Sequence, residues 1–304
     1  MRLVGANELR ALIPMRAAID ALERAFGAED PAGAPPRSHL GTAAGTLLMM
    51  PAAGDAGVGV KLVTLTPANP EEGLPLVQAV YVLFDPRTQA PLAVIDGAAL
   101  TALRTAAVSA LATEWLARPD ATRLVVFGSG VQARSHLEAM CLVRPVGSVT
   151  VVSRNDTHAA AFADDVREEG LHVRVGTPAD VEVADLICTC TTSESPLFDG
   201  RKLAPGAHIN AVGSYQPGTR ELDTATIVRA KVVVERRVAA LLEAGDLLIP
   251  IGEGAIGPEH LVADLGELVS GAVVRTSEDD VTVFKSVGLA FEDLVVAGAM
   301  MDAR

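Results

Sequence analysis

The segment at residues 124–140, LVVFGSGVQARSHLEAM, limits the folds open to this chain more than any other. Its first four residues are apolar, as in a buried strand, and Gly128-Ser129-Gly130 then ends the run. After this break, apolar residues recur with the spacing of one buried helix face, at Ala133, Leu137, Met140 and Cys141. A strand, a glycine turn and a helix in this order predict one βα unit of a parallel sheet.

The same alternation continues beyond this segment. From residue 122 onward, strand patterns alternate with helices and turns, and they read RLVVF, VTVV, HVRV, ADLICTC, HINAV and KVVVE. This spacing predicts a parallel, doubly wound sheet with helices between its strands, which is the Rossmann architecture. We therefore assign residues 118–283 to an α/β domain of this class.

The sequence before residue 118 has a different pattern. Between residues 37 and 96, short apolar runs alternate with turn residues, which predicts a sheet built from hairpins. Helical patterns flank this region at residues 8–27 and 97–117. The last segment, VTVFKSVGLAFEDLVVAGAMM, predicts a strand and an apolar helix that return to complete this part. Residues 1–117 and 284–304 are therefore expected to form a mixed α+β domain.

The composition excludes several classes of partner. The net charge is −13 and no basic run offsets it, which argues against binding to nucleic acid or to anionic lipid. No segment approaches the roughly 18 uncharged apolar residues of a membrane span, and the start of the chain lacks the apolar core of a signal peptide. These features predict a soluble, cytoplasmic protein whose partners are small molecules.

The cysteines and histidines do not indicate a metal site. Cys188 and Cys190 lack the Cys-x-x-Cys spacing of metal and redox sites, and we interpret them and Cys141 as buried thiols. The six histidines likewise show no ligand spacing. We expect no metal.

The glycine turn fits a dinucleotide. In the pattern Gly128-x-Gly130-x-x-Ala133, the first glycine permits a tight bend and the second lets backbone N–H groups approach a diphosphate. A small third residue packs the helix on the strand, and the helix N-terminus favours negative charge. The pattern follows a predicted strand and opens a helix, the context that favours dinucleotide binding over a merely structural turn.

The end of the second strand, VTVV, bears on the choice of dinucleotide. NAD enzymes usually carry an acidic residue there for the ribose 2′-hydroxyl, whereas this chain has Ser153-Arg154-Asn155. A guanidinium can pair with a 2′-phosphate, and Ser and Asn can donate hydrogen bonds to it. NADP is therefore favoured over NAD. The alternative is that Arg154 is only a solvated charge.

Two cations of the first domain stand among apolar residues. Lys61 alternates onto one strand face with Gly59 and Val63, and Arg104 is the only charged residue between residues 97 and 113. Buried cations are costly unless they are paired. Together with Arg37, they are expected to form a cationic pocket for a carboxylate. The alternatives are structural ion pairs, or side chains that extend to solvent.

Several segments together resemble the ornithine cyclodeaminase/mu-crystallin family over nearly the whole chain. They are GVKLVTLTPANPEEGLP, VLFDPRTQAPLAVIDGAALTALRTAAVSALA, VVFGSGVQARSHLEAM, PGAHINAVGSYQPGTRELD and TVFKSVGLAFEDLVVA. The resemblance implies an oxidoreductase dependent on NAD(P) and a homodimer formed through the non-Rossmann domain. Family members include ornithine cyclodeaminases, alanine dehydrogenases and reductases of cyclic ketimines, and mu-crystallin also serves as a binding protein.

The resemblance also implies roles for individual residues. Arg37, Lys61 and Arg104 match residues that clamp the substrate carboxylate and orient the reacting carbon toward the nicotinamide, which also places Arg104 near the cofactor. Val131 and Gln132 match diphosphate contacts, and Ser153 lies at the adenosine ribose. The remaining matches are Thr189 near the cofactor, Val212, Gly213, Ser214 and Tyr215 beside the nicotinamide, and Ser286 and Val287 over cofactor and substrate.

One departure from the family pattern bears on the reaction. Ornithine cyclodeaminases resemble one another in a segment G-G-D-x-P-G-K, where this chain has Tyr215 at the Asp position and Thr219 at the Lys position. A phenol is neutral near pH 7 and does not pair with an ammonium as a carboxylate does. The segment, with RELD after it, is more similar to mu-crystallin and the ketimine reductases.

We therefore predict reduction of a cyclic imino acid, pyrroline-2-carboxylate or piperideine-2-carboxylate, by NAD(P)H. Lys61 and Tyr215 are the candidate proton donors, since this reduction needs a positioned carboxylate, a protonated nitrogen and a hydride. Three alternatives stay open: conversion of L-ornithine to proline and ammonia, an alanine dehydrogenase, and a protein that binds NADPH and a carboxylate without turnover.

Overall fold

The computed structural model describes residues 1–28, 35–168 and 170–302. The chain divides into two compact units, one formed by Met1–Ala107 with Gly288–Arg304 and the other by Val108–Val287. None of the helices in the described ranges is long and apolar enough to cross a membrane.

The strands, in chain order, are β1 (Arg2–Val4), β2 (Ser38–Gly41), β3 (Thr46–Gly54), β4 (Gly57–Leu65), β5 (Val77–Phe84), β6 (Pro91–Asp96), β7 (Arg123–Phe127), β8 (Ser148–Val152), β9 (Val173–Val175), β10 (Leu186–Thr189), β11 (His208–Ala211), β12 (Lys231–Val234), β13 (Leu261–Asp264) and β14 (Thr282–Lys285). The α-helices are α1 (Ala6–Leu12), α2 (Met15–Phe26), α3 (Gly97–Leu116), α4 (Val131–Val143), α5 (Asp156–Glu168), α6 (Thr224–Arg229), α7 (Arg237–Glu243), α8 (Gly245–Gly252), α9 (Leu265–Val269) and α10 (Ala290–Asp302). Short 3-10 helices occupy Asn69–Glu72, Pro178–Glu182, Gly200–Lys202 and Pro258–His260.

The first unit contains a six-stranded sheet in the order β1-β6-β5-β4-β3-β2. Its strands pair antiparallel except for β1, which runs parallel to β6. The alternation predicted for β4 is present, because Gly59, Lys61 and Val63 are all buried on one face while the residues between them are more exposed. Helices α2 and α10 pack together, with the rings of Phe26 and Phe291 edge to face at 5.2 Å.

The second unit contains an eight-stranded parallel sheet in the order β13-β12-β14-β11-β10-β7-β8-β9. The central strands β7 and β10 carry consecutive buried apolar residues and all four residues of β11 are buried, as expected for a sheet covered on both faces. The predicted fold class, a doubly wound Rossmann domain with a mixed α+β part, is confirmed.

The last strand does not lie where the sequence interpretation placed it. Together with the helix that follows, β14 was expected to complete the first part of the chain, but it pairs with β11 and β12 in the parallel sheet. The physical reason is that all four of its residues are buried, which suits an interior strand of a sheet covered on both faces. Helix α10 does lie in the first unit. The assignment of substrate binding and dimerisation to that unit stays a prediction.

Candidate functional site

The residues predicted to bind a dinucleotide follow the carboxyl ends of the parallel strands. The chain runs from β7 outward to β8 and β9 and then returns to β10 on the other side of β7, so the strand order reverses there. Ligands of doubly wound sheets bind at such a reversal. The predicted residues are Gly128 and Gly130 after β7, Ser153, Arg154 and Asn155 after β8, Thr189 at the end of β10, Val212, Gly213 and Ser214 after β11, and Ser286 and Val287 after β14.

The two glycines of the turn have different physical roles. Gly128 has a φ of +109°, and a Cβ there would lie 2.6 Å from the carbonyl oxygen of Cys190, so only glycine fits. At Gly130 a Cβ would meet no described atom within 4 Å. Packing among the described residues therefore gives no reason for this second glycine, whereas close approach of a phosphate to the backbone does.

The start of α4 also fits a phosphate group. The helix begins without a side-chain cap, and Val131 in its first turn is 65% exposed. Gln132 lies in the same turn; its side-chain oxygen Oε1 is buried without a hydrogen-bond partner among the described residues, but an amide oxygen accepts hydrogen bonds and so does not itself favour a phosphate. Uncapped backbone N–H groups and the helix dipole together form an anion site. These residues therefore fit the diphosphate of a dinucleotide.

The residues after β8 form an exposed corner. The hydroxyl of Ser129 donates to the hydroxyl of Ser153 at 3.3 Å, which ties the glycine turn to this strand end. The Asn155 side chain accepts a hydrogen bond from the backbone N–H of His158 at 3.0 Å and so caps α5. Arg154 is exposed. The corner thus presents a guanidinium where NAD enzymes usually present a carboxylate.

A buried glutamate holds together the ends of β10 and β11. One oxygen of Glu221 accepts hydrogen bonds from the hydroxyl of Thr189 at 2.7 Å and from the N–H of Gly213 at 2.8 Å. The other accepts from the N–H and the hydroxyl of Thr191, at 2.8 and 2.7 Å. Burial raises the pKa of Glu221, and these hydrogen bonds and Lys285 oppose the shift. Sequence reasoning missed this residue as a site component.

Two further buried acids support the neighbouring strand ends. Asp246 forms an ion pair with Lys285 at 2.9 Å, and the Lys285 ammonium also donates to the carbonyl oxygen of Ser214. The hydroxyl of Ser286 donates to one oxygen of Glu235, and the N–H of Val287 donates to the other at 3.0 Å. Residues predicted to touch the cofactor are therefore fixed by acids that the sequence interpretation did not include.

Tyr215 lies at the position where the cyclodeaminase pattern has an aspartate. Its partly buried ring packs against the apolar core of the second unit. The Ser214 hydroxyl bonds to the carbonyl oxygen of Thr219 at 2.7 Å and lies 2.8 Å from its hydroxyl, which closes the turn around Tyr215. Proton donation by Tyr215 stays a prediction.

In the first unit, the predicted cations lie together at the start of α10. The Lys61 ammonium is buried, with the residue 1% exposed, and lies 2.7 Å from a carboxylate oxygen of Asp293. Arg104 pairs with Glu292 at 2.8 Å and with the second oxygen of Asp293 at 3.3 Å. The alternative of structural ion pairs therefore describes part of what Lys61 and Arg104 do.

The Arg37 side chain also lies near the start of α10, where it contacts the backbone. Its guanidinium donates to the carbonyl oxygen of Gly288 at 2.8 Å. Gly288 has a φ of +77°, and a Cβ there would lie 2.7 Å from Nη1 of Arg104. The glycine thus lets the chain pass directly over the Arg104 guanidinium.

The surroundings of Lys61 change its ionisation. Burial lowers its pKa to about 8; Asp293 opposes this shift, while Arg104 and Arg37 add to it. Across the sheet, Lys61 pairs directly with Tyr81. The hydroxyl of Tyr81 is buried without a hydrogen-bond partner in the described ranges, and burial and the charge of Asp293 raise its pKa. A lysine with such a pKa can release a proton near neutral pH.

The acids of α10 had a recognisable sequence signal. Glu292 and Asp293 stand in an otherwise apolar helix segment, LAFEDLVVAGAMM, and both are fully buried. Adjacent acids in such a segment require buried cationic partners. The isolated cations Lys61 and Arg104 and the isolated acids of α10 are therefore recognisable from the sequence as partners of each other.

No group of three or more potential metal ligands occurs within residues 1–28, 35–168 and 170–302. The three cysteines are free thiols, of which Cys188 is buried and Cys141 and Cys190 are partly buried. Burial raises the pKa of each thiol, so none has the character of a reactive thiolate.

The fold and these two groups of residues define a protein with a Rossmann unit and, in the other unit, a buried cationic cluster. The model of the ornithine cyclodeaminase/mu-crystallin family matches residues 3–303, and the chain belongs to this family. The resemblance stated from the sequence is therefore confirmed.

Individual relatives are similar over almost their whole length. The Delta(1)-pyrroline-2-carboxylate reductase of Bacillus cereus is 39% identical over 309 residues, which cover 98% of this chain and 94% of the relative. The structure of the Thermococcus litoralis Delta(1)-pyrroline-2-carboxylate reductase, in complex with NADH and L-proline, has a TM-score of 0.95 at 37% identity and covers 100% and 97% of the two chains. An archaeal alanine dehydrogenase dimer with bound NAD has a TM-score of 0.93 at 33% identity, with 100% and 95% covered.

Proposed function

We propose that this chain is an NAD(P)H-dependent imine reductase that converts pyrroline-2-carboxylate or piperideine-2-carboxylate into the cyclic amino acid. The observation that carries the proposal is the meeting of Arg37, Lys61 and Arg104, from three separate segments, at the start of α10. Such a cluster suits a small carboxylate. The names of the two pyrroline-2-carboxylate reductases support the choice of an imine as the reacting group.

The reaction adds a hydride to the imine carbon and a proton to the ring nitrogen. NAD(P)H supplies the hydride when it is bound. Arg37 and Arg104 hold the carboxylate, Arg104 through the planar guanidinium that Glu292 and Asp293 orient. Lys61, whose pKa is about 8, is mostly protonated at neutral pH and supplies the proton or hydrogen-bonds the nitrogen.

The second unit binds the cofactor in this proposal. Gly130 and the start of α4 receive the diphosphate, and Ser153, Arg154 and Asn155 receive the adenosine ribose. We assign a preference for NADPH because Arg154 stands exposed after β8. NADH is the cofactor in the Thermococcus litoralis structure, so NAD(H) remains the alternative.

Cyclodeamination of ornithine fits these residues less well. It requires a group that manages two amines, and the pattern of that class has an aspartate where this chain has Tyr215. A neutral phenol whose ring packs against the core does not replace a carboxylate.

We further propose that the enzyme is a cytoplasmic homodimer. The face of the six-stranded sheet opposite Lys61 is apolar and only partly buried; it includes Leu47, Met49, Val58, Val60, Leu62, Val80, Val82 and Val94. Such a surface favours association with a second copy. The free cysteines suit a reducing compartment.

A panel of substrates tests the activity. NADPH absorbance is followed with pyrroline-2-carboxylate, with piperideine-2-carboxylate and with pyruvate plus ammonia, and ammonia release is measured from L-ornithine with oxidised cofactor. The proposal requires turnover of at least one cyclic imine and little ammonia from ornithine. Proline and ammonia appearing together from ornithine would assign a cyclodeaminase. Turnover of pyruvate alone would assign alanine dehydrogenase, and cofactor binding with no turnover would assign a binding protein.

A further inference from the structure

The buried acids of α10 lie in contact with the cations that the proposed function uses. Asp293 has one carboxylate oxygen 2.7 Å from the Lys61 ammonium and the other 3.3 Å from Nε of Arg104. Glu292 contacts Nη1 of Arg104, at 2.8 Å. Both acids are fully buried. Asp293 is therefore the acid that joins strand β4 to helix α3 through charged side chains.

Resting on the proposed function, we infer that Asp293 is a positioning residue that holds the Lys61 ammonium in place and keeps it protonated between turnovers. Glu292 has the complementary task of orienting the Arg104 guanidinium. Asp293 contacts both cations, whereas Glu292 pairs with Arg104. A change at Glu292 therefore affects the carboxylate-binding side chain and leaves the acid next to Lys61 in place.

The groups around Lys61 leave Asp293 as its principal anionic neighbour. From α3 and from residue 37, the charges of Arg104 and Arg37 disfavour a protonated lysine. From β5, Tyr81 presents a neutral phenol, because burial and the charge of Asp293 keep it protonated. Burial also disfavours the ammonium, and Asp293 is the charge that opposes all three effects.

This arrangement gives the two acids separable consequences. Replacing Asp293 by Asn removes the charge that sustains the Lys61 proton but retains a side chain of similar shape. Replacing Glu292 by Gln loosens Arg104 without touching Lys61. The first change therefore alters the pH dependence, and the second alters the affinity for the carboxylate.

The test compares kcat/KM for pyrroline-2-carboxylate, at saturating NADPH, from about pH 6 to about pH 10 in four proteins. These are the unmodified chain, Asp293→Asn, Glu292→Gln and, as a control, Asp302→Asn at the exposed end of the same helix. Ionisation of the substrate is common to all four profiles, so a difference between profiles reports the protein.

The unmodified chain should lose activity as the pH rises through about 8, the pKa of Lys61. Asp293→Asn should move this alkaline limb down by about one pH unit or more. Glu292→Gln should leave the limb in place and raise KM about tenfold, and Asp302→Asn should change neither. An alkaline limb in Asp293→Asn that coincides with that of the unmodified chain overturns the inference.

A second measurement reads the same ionisation without turnover. Binding of pyrrole-2-carboxylate, followed by the thermal shift of the folded protein, should weaken above about pH 8 in the unmodified chain and at lower pH in Asp293→Asn. If no imine is reduced but this difference is found, the proposed reaction fails and the inference about Asp293 holds. If imines are reduced but the two binding profiles coincide, the inference fails alone.

Thermal unfolding of a double variant tests the inference if Asp293→Asn alone does not fold. Asp293→Asn leaves the buried Lys61 ammonium without its acid, and Lys61→Met removes that ammonium, so the double variant Lys61→Met/Asp293→Asn should fold and unfold at a higher temperature than Asp293→Asn. A double variant that is no more stable than Asp293→Asn contradicts the pairing on which the inference rests.

Discussion

Replacement of Glu221 tests whether the ends of β10 and β11 form the nicotinamide side of the cofactor site. Its carboxylate accepts two backbone N–H groups, from Thr191 and Gly213, and two threonine hydroxyls. We predict that Glu221→Gln and Glu221→Ala weaken both folding and cofactor binding. The loss of cofactor binding should be confined to the nicotinamide half.

The magnitude follows from the donors that lose an acceptor. A buried donor left without a partner costs about 1–3 kcal/mol, so Glu221→Ala, which abandons two backbone N–H groups, should cost about 2–6 kcal/mol. Glu221→Gln keeps one oxygen and turns an NH₂ group toward the remaining donors, so about 1–3 kcal/mol is expected. The hydroxyls of Thr189 and Thr191 can rotate to other acceptors and add less.

Urea unfolding measures the free energy of unfolding of each variant. Fluorescence titration with NADPH and with 2′-phospho-ADP-ribose, which lacks the nicotinamide, separates the two halves of the cofactor site. NADPH affinity should fall at least tenfold, or about 1.4 kcal/mol, in folded Glu221→Gln. Affinity for 2′-phospho-ADP-ribose should stay within about twofold.

Glu182→Gln is the matched control, because Glu182 forms an exposed ion pair with Lys202. Its effect on the free energy of unfolding should lie within about 0.5 kcal/mol. An equal loss of affinity for both ligands in Glu221→Gln would refute the reasoning, since it would show a general disturbance rather than a local one. An unchanged NADPH affinity would refute it as well.

Four further changes test the remaining parts of the site and the fold. NADPH should bind the unmodified chain at least about tenfold more tightly than NADH, and Arg154→Asp should abolish or reverse that preference; equal affinities of the unmodified chain in fluorescence titration would contradict the assignment. Arg104→Lys should lower kcat/KM about 10²-fold or more with NADPH affinity nearly unchanged, because an ammonium does not reproduce a planar fork, and normal steady-state kinetics would remove Arg104 from the substrate site. Tyr215→Phe should lower kcat less than about tenfold if Lys61 is the principal donor, whereas a loss of about 10²-fold would transfer that role to the phenol. Burial alone would raise the pKa of Asp185, but hydrogen bonds from the Arg123 side chain and from backbone N–H groups lower it from 3.8 to about 2. The contribution of this carboxylate to the free energy of unfolding, about 2 kcal/mol, is therefore present above about pH 4 and lost as the pH falls through about 2. Asp185→Asn should accordingly destabilise the chain in urea unfolding at about pH 7 but not at the acid end.

Much of the fold was accessible from the sequence because its strands carry local patterns. β7 and β8 are short runs of mostly apolar, buried residues, and β4 alternates between buried and more exposed residues. Such patterns report the burial of a strand but not its neighbours. The position of β14 between β11 and β12 depends on pairing with distant strands, and the sequence interpretation therefore misplaced it.

The candidate site was predictable to the extent that its residues follow strand ends or stand out by charge. Gly128 and Gly130 lie next to a recognisable strand, and Lys61 is an isolated cation on a buried face. Glu221 had no comparable signal, because RELD contains three charged residues in four, which is typical of an exposed turn. Its burial arises only when the ends of β10 and β11 direct four donors at one carboxylate.

The acids of α10 could also have been predicted from the sequence, because buried cations require buried acids as partners. A buried cation needs a partner, since an ion removed from water is otherwise too costly to keep charged. Once Lys61 and Arg104 are assigned to buried positions, the chain must therefore supply buried carboxylates, and LAFEDLVVA is an apolar segment that contains two of them. The pairs observed, Lys61 with Asp293 and Arg104 with Glu292, meet this requirement. The sequence does not show which acid pairs with which cation, because the pairing depends on how α10 lies against β4 and α3.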